Sequence, residues 1–322
     1  MIVAPMIEVD VASIRDEADG IRTFTLASAD GTSLPPFTAG AHIDVNLPGG
    51  LTRQYSLCCD PDANGAYQIA VLREPLSRGG STHMHETIAQ GSRLRISSPR
   101  NLFPLDETAE RTLLFAGGIG ITPILAMAYR LHRLGRNFEL HYAARTRSRA
   151  AFLGHLQTAP FAGNVASHFD DGPAAQRLDA KALLSDPSSG THLYVCGPGG
   201  YMEHVLNTAL AQGWQEAQLH WEYFSARPAD NGDNQPFEIE IASTGTTLAV
   251  PAGRTALQVL HEPGFDVPVS CEQGICGTCL VPILSGIPDH RDTYLTDEEH
   301  DANDQFTPCC SRAKGGKLVL GL

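Results

Sequence analysis

Three cysteines fall within ten residues late in the chain, in the stretch CEQGICGTCL: Cys271, Cys276 and Cys279. Their spacing is C-x4-C-x2-C, and a further pair, Cys309 and Cys310, follows after twenty-nine intervening residues. This density constrains the local chain strongly, because the backbone must curl to bring the thiols together. Gly274 and Gly277, set between the cysteines, allow such a curl and can aim N–H groups at whatever the thiols hold. A structural zinc site prefers two C-x2-4-C knuckles or a Cys/His pair, and the adjacent Cys309–Cys310 is neither. A disulfide framework belongs to exported chains. The opening MIVAPMIEVDVASIRDE has no basic n-region ahead of an apolar core and no cleavage signature. Soft thiolates suit iron–sulfur clusters, which take four of them. From the three close cysteines alone, a cluster, zinc and plain thiols all stay open.

The rest of the chain divides by rhythm. Residues 7 to about 100 contain short alternating segments, IRTFTLAS, HIDVNLP, RQYSLCCD, AYQIAVLRE and RLRISSPR, separated by turns such as ADG, PGG and DANG. That pattern predicts an antiparallel barrel or sandwich, with a helical turn or two at 81–89. Near residue 111 it changes to continuous apolar strands alternating with helices: RTLLFAGG, TPILAMAYRLHRLG, FELHYAA, RAAFLGHLQ, VASHFDD, HLYVCGPGG, YMEHVLNTALAQG and AQLHWEYF. This predicts a doubly wound parallel sheet. SARPADNGDNQP (225–236) has no apolar period and reads as a linker. Beyond it come a hairpin (FEIEIAST, TTLAVPAG), a short helix (RTALQVLHEPG) and a closing strand (KLVLGL). The expected boundaries are a barrel over 1–106, a parallel-sheet domain over 107–225, a linker over 226–236 and a cysteine domain over 237–322. The uncharged run 113–129 is broken by Gly117, Gly118, Gly120 and Pro123, so it reads as a buried strand and helix rather than a membrane span. A net charge of −13 excludes a dominant basic face for nucleic acid and is compatible with a protein partner that has a positive docking face. The expected location is the cytoplasm.

Two glycine turns carry the nucleotide signal. FAGGIGITP follows a strand and opens a helix, where glycines let a pyrophosphate approach and the helix end offers unpaired N–H groups. It departs from G-x-G-x-x-G, with Pro123 near the place of the third glycine. YVCGPGGYM repeats the strand–turn–helix order about eighty residues later.

Residues 237–322 resemble the plant-type [2Fe–2S] ferredoxin family, whose cysteine spacing they share. The resemblance implies a cluster held by Cys271, Cys276, Cys279 and, from the position before S-R in PCCSRA, Cys309. The barrel and the two glycine turns resemble the ferredoxin–NADP reductase superfamily. By that likeness Gly117, Gly118, Gly120, Thr122, Cys196, Gly197 and Pro198 line a pyridine-nucleotide site. RQYSL matches the superfamily's flavin motif, which implies Arg53 for the flavin phosphate, Tyr55 along the flavin and Ser56 near its N5. Gly79, Gly80 and Ser81 offer a second phosphate cradle, and Val71 and Leu72 are expected to run beside the flavin. The domain order, with RQYSLC, SRGGS, AGGIGITP, WEYF and IPDHRD…LTDEEH…CCSRAK, resembles the phthalate dioxygenase reductase family over nearly the whole chain. Within that family it is closest to reductases of aromatic-acid oxygenases.

The family implies FMN, NADH and a [2Fe–2S] cluster, Phe224 stacking where nicotinamide enters, and catalytic places for Ser56, Cys196 and Phe224. One departure concerns the cofactor: after LHYAA stand Arg145, Arg147 and Arg149 where the family often has a carboxylate, and Arg145 would tolerate a 2′-phosphate. The implied activity is electron transfer from NADH through FMN and the cluster to a Rieske non-haem iron oxygenase. A stand-alone flavin or ferric reductase and a redox-sensing interaction protein are the rival readings.

Overall fold

The computed structural model describes residues 6–48, 51–63, 65–74, 79–224 and 234–322. The chain divides into two compact units, Met1–Glu222 and Tyr223–Leu322. Most of the linker read at 226–236 lies outside the described residues, as do Ser77 and Arg78 of the expected phosphate loop.

The first unit begins with six antiparallel strands: β1 Ile7–Ala18, β2 Ile21–Ser28, β3 His42–Leu47, β4 Leu51–Ser56, β5 Ala66–Leu72 and β6 Arg93–Ile96. Their order is β4-β3-β6-β1-β2-β5. A bridge between Leu57 and Ile69 joins the end of β4 to β5, so the two outer strands meet and the sheet closes into a barrel. Closure removes exposed edges and leaves one side of each strand to fill the interior. Val9, Phe24, Leu26, Ile43, Val45 and Ile69 are fully buried there. The short helix α1 (Gly80–Glu86) follows β5. β1 escaped the sequence reading: its register slips between Val11 and Ser13 and again between Asp16 and Ala18, which breaks the two-residue period.

The second half of this unit holds β7 Arg111–Gly117, α2 Ile121–Arg133, β8 Asn137–Ala144, α3 Leu153–Thr158, β9 Val165–Phe169, α4 Ala180–Leu183, β10 Thr191–Cys196, α5 Gly199–Ala211 and β11 Leu219–Glu222. The strands pair parallel in the order β11-β10-β7-β8-β9. β7 is buried from Thr112 to Gly117, which accounts for its unbroken apolar character. Gly135, just past α2, takes φ +63°, the left-handed conformation with which such helices often end. The segment RAAFLGHLQ is helical only in its second half, because Phe152 sits in the left-handed region (φ +63°) and α3 starts after it. The chain winds outward from β7 through β8 and β9, then returns to β10 on the other side. This puts the topological switch point between β7 and β10. No helix among the described residues is long and apolar enough to cross a membrane.

The second unit contains β12 Phe237–Ile241, β13 Thr246–Val250, α6 Ala256–His261, β14 Val281–Ser285, β15 Pro288–Asp289, α7 Asp297–Ala302, β16 Gln305–Phe306, β17 Arg312–Ala313 and β18 Lys317–Leu320. The main sheet runs β13-β12-β18-β14-β16, with β12 parallel to β18 and the other pairs antiparallel. α6, capped by the Thr255 hydroxyl and the reciprocal Gln258 amide, lays Ala256, Leu257, Val259 and Leu260 on this sheet in a β-grasp arrangement. The cysteine loop runs between α6 and β14.

Arg312 braces this unit. Its guanidinium donates to the carbonyls of Arg254 (2.9 Å), Gln235 (3.1 Å) and Pro251 (3.1 Å), and lies 5.0 Å from the centre of the Phe237 ring. A lysine ammonium cannot span three carbonyls in this planar fork. Arg312→Lys is therefore expected to weaken the unit by about 2 kcal/mol. Hydrogen exchange of the β12 amides should accelerate roughly thirtyfold; unchanged exchange would remove Arg312 from this role.

Candidate functional site

The two glycine turns leave neighbouring strands, with Cys196 at the end of β10 opposite Ala116 near the end of β7. They interlock. A Cβ on Gly120 would lie 2.2 Å from the Cys196 carbonyl oxygen, and one on Gly197 would lie 2.9 Å from the Gly117 Cα. A Cβ on Gly117 would meet the Tyr201 ring at 2.7 Å and the Pro198 ring at 3.0 Å. Three of these glycines are thus required by the approach of one turn to the other. Gly118, at φ +54°, is required by its own backbone. The Thr122 hydroxyl donates to the Ile119 carbonyl (3.0 Å) and stitches the start of α2. Tyr201, which the sequence reading passed over, packs against both turns, and its buried hydroxyl has no hydrogen-bond partner among the described residues. Burial raises its pKa.

A barrel residue reaches this edge. Ser56, the last residue of β4, donates to Glu222 Oε2 at 3.4 Å. Glu222 ends β11, in register with Cys196. Part of the Glu222 residue surface remains open, yet its carboxylate sits deep among protein atoms. This desolvation raises its pKa to about 8, against the smaller lowering effect of the Ser56 hydroxyl. Desolvation likewise pushes the fully buried Cys196 thiol well above its usual value, with the Glu222 charge adding to the shift. Cys196 is therefore a neutral, packed thiol and not a thiolate nucleophile. Glu222 was missed because nothing local in LHWEYF marks it; its burial is created by a strand 166 residues away.

On the barrel, the Arg53 side chain lies across Gly80, where a Cβ would come within 2.6 Å of Arg53 Cγ and 2.7 Å of Nε. Arg53 Nη1 donates to the Thr52 carbonyl at 2.7 Å. Gly79 has φ +92°, and the Ser81 hydroxyl accepts the Glu74 amide at 3.1 Å. Tyr55 packs against the barrel core, and burial raises its pKa. Val71 points into that core, its carbonyl accepting from His85 Nε2 at 2.8 Å, while Leu72 is half-buried beside Gly20. Arg145 stands exposed just past β8, and its carbonyl accepts the Asp171 amide. Phe224 is half-buried at the start of the second unit.

In the second unit the expected ligands fall into two pairs. Cys271 and Cys276 lie within hydrogen-bonding reach of one another, a contact that lowers the Cys276 pKa and raises that of Cys271. Cys309 stands beside Cys279 and Cys310, and those contacts raise its pKa. Gln273 N–H points at Cys271 Sγ (3.3 Å). Glu272, Gly274 and Gly277 all have positive φ, at +54°, +73° and +64°, which produces the curl. A Cβ on Gly274 would strike Cys310 Sγ, and one on Gly277 the Tyr294 ring. All eight cysteines lie among the described residues, and none forms a disulfide. Two pairs of close thiols with inward N–H groups suit two irons, each taking two thiolates. Cys310 Sγ instead rests against the hydroxyls of Thr307 (3.5 Å) and Ser311 (3.7 Å).

Known proteins align with these features. Residues 239–314 match the family described as 2Fe-2S iron-sulfur cluster binding domain. The chain is 57% identical to a vanillate O-demethylase oxidoreductase of Pseudomonas sp. strain HR199, over 98% of this chain and all of that one. It is 38% identical to a phthalate dioxygenase reductase of Burkholderia cepacia, over 97% of this chain and 96% of that one. A solved phthalate dioxygenase reductase, described as a modular structure for electron transfer from pyridine nucleotides to [2Fe-2S], superposes with a TM-score of 0.81 at 38% identity, covering 98% of each chain.

The thiol pairing separates Cys309 from its neighbour. Cys309→Ser should purify with less than half the iron of the unaltered chain, and Cys310→Ser with a full complement. Iron analysis decides; the reverse order would make Cys310 the ligand.

Proposed function

The chain belongs to the phthalate dioxygenase reductase family of oxygenase reductases, and on that premise we propose how its residues divide the work of passing electrons from NADH to an oxygenase. The observation that carries the reading is the meeting of Ser56 of the barrel with Glu222 and Cys196 at the switch point of the parallel sheet. A redox ring held by the barrel and a nucleotide held by the sheet would face each other there. When bound, NADH supplies a hydride, FMN accepts two electrons and releases them singly, and the [2Fe–2S] cluster carries them one at a time.

The residues fit those groups. Arg53, folded over Gly80 with Gly79 beside it in sequence, forms a cationic cradle for the flavin phosphate, and Tyr55 and Ser56 follow it along β4 toward the sheet. Gly117, Gly118 and Gly120 shape the turn that would receive a pyrophosphate at the N-terminus of α2, with Gly118 its partly open residue, and α2 is long enough to offer a clear dipole. Cys196, Gly197 and Pro198 wall the nicotinamide end, and neutral Cys196 adds no charge to oppose it. Arg145 receives the adenosine end. Cys271 with Cys276, and Cys279 with Cys309, hold the cluster. The domain limits 1–106, 107–225, 226–236 and 237–322 go with these roles. The partner is a Rieske non-haem iron oxygenase that acts on an aromatic acid, a reading supported by the vanillate O-demethylase relative.

Two expectations follow from these roles. Cys276→Ser should keep NADH-dependent flavin reduction and lose cytochrome c reduction; full-rate cytochrome c reduction by this variant would contradict the order of transfer. Glu222 is neutral below about pH 8. Above that it places a negative charge beside Ser56, where electrons must arrive. Flavin reduction measured by anaerobic rapid mixing should thus slow as pH rises through about 8. Glu222→Gln should flatten that limb, and an unaltered limb in the variant would assign it to another group. The sign for stability agrees: with a folded-state pKa above the unfolded 4.5, the contribution is full below 4.5 and is lost as pH rises through about 8.

A further inference from the structure

Away from the flavin, nucleotide and cluster residues, three side chains of the second unit converge: His290, Asp292 and His300. One donor atom from each lies within 4.8 Å of the other two. The Asp292 side chain is wholly buried. It is fixed from several directions: the Leu295 amide donates to Oδ2 at 2.9 Å, the Thr307 hydroxyl to Oδ1 at 3.0 Å, and His300 Nε2 stands 3.3 Å from Oδ2. His290 stacks on His300 with ring centres 4.4 Å apart and keeps only 9% of its side chain exposed. Among the described residues both its ring nitrogens are shut from water and make no hydrogen bond of good geometry, although the Asn303 side chain stands within their reach. Asp292 Oδ1 is 3.7 Å from Nδ1, beyond hydrogen-bond length. A buried polar side chain in that condition calls for an explanation, and a bound water or ion is one.

We propose that His290, Asp292 and His300 form a mononuclear site for a first-row divalent cation of the zinc type. Two imidazoles and a carboxylate are borderline ligands that suit such ions and leave an open position for water. Metal–ligand bonds of about 2.0–2.2 Å bring donors to about 3–3.6 Å apart. Asp292 already stands 3.3 Å from His300 Nε2 and 3.7 Å from His290 Nδ1, so little closure of the triangle is needed. His300 is the ligand that can move: it lies in the last turn of the short helix α7, with 24% of its side chain exposed. The cation would enter past it, drawn by Asp297, Glu298 and Asp301 on the same helix. Leu295 N–H and the Thr307 hydroxyl hold the carboxylate as outer-shell partners hold metal ligands.

A plain hydrogen-bonded brace explains Asp292 and His300 but leaves the His290 ring nitrogens without a well-formed hydrogen bond, with Asp292 3.7 Å away. The site is separate from the four paired thiols yet mechanically joined to their loop, since Thr293 N–H donates to the Gly274 carbonyl at 2.9 Å and Thr307 precedes Cys309. A bound ion would clamp the 290–300 segment to the cysteine loop. None of this depends on the route that electrons take.

The test uses the full chain with flavin and cluster in place, equilibrated with zinc chloride under a weak competing chelator, desalted, and analysed for metals. The unaltered chain should retain one zinc per chain with its iron undiminished. His300→Ala, at a partly exposed position, and His290→Gln should each retain about tenfold less zinc with equal iron and flavin. Zinc should also raise the temperature at which cluster absorbance is lost in the unaltered chain and leave the variants unmoved. The proposal is overturned if the unaltered chain retains no zinc. It is equally overturned if the variants retain as much, which would assign the metal to thiols elsewhere, or if zinc binds only as iron leaves.

Discussion

The contact on which the first unit depends is the interlock of two backbone turns, Gly117–Gly120 after β7 and Cys196–Pro198 after β10. With barely 2–3 Å between one turn and the atoms a side chain would add to the other, neither can carry a Cβ at the contact. The consequence is functional. The glycines bring the two turns together at the switch point of a parallel sheet where a helix begins, with Gly118 the partly open residue of the first turn. The same exclusion accounts for Pro123: α2 needs a rigid first turn more than a third glycine, because the close approach is already made by Gly120.

From that edge the chemistry spreads by burial rather than by dense charge. Ser56 and Glu222 come from different sheets and are brought together by the fold, and enclosure keeps Glu222 neutral over most of the physiological range. Cys196, beside them, is neutral for the same reason. No general acid or base is needed to move electrons, and a region without fixed charge leaves the potentials of the bound groups to be set by hydrogen bonds. The second unit uses the opposite chemistry: soft, ionisable thiols in pairs, wrapped by a loop whose left-handed residues turn its amides inward.

Much of this was legible in the sequence, for physical reasons that differ by element. The barrel strand β3 was legible because Ile43, Val45 and Leu47 alternate with polar residues, and β7 reads as continuous because both its faces are buried. The four cysteines were legible because their spacing resembles that of the plant-type ferredoxins; the three close thiols by themselves left zinc and plain thiols open. β1 was not, since two register slips scramble its period. Nor were Glu222 and Tyr201, whose significance comes from neighbours distant in sequence. The sequence pattern singled out His290, Asp292 and His300 only as letters within a family string; their convergence needs the loop and α7 folded together. The pairing of Cys271 with Cys276 and of Cys279 with Cys309 was likewise invisible, because spacing alone does not say which thiols touch.

The central claim is that electrons from NADH arrive at the four-cysteine cluster by way of the flavin. The most direct measurement mixes the protein anaerobically with NADH, freezes it, and records its electron paramagnetic resonance beside its flavin absorbance. The account predicts a reduced [2Fe–2S] signal that grows as the flavin is reduced and reoxidised. Flavin bleaching with a cluster that stays silent, or a protein that holds zinc and no iron at those four cysteines, would contradict it.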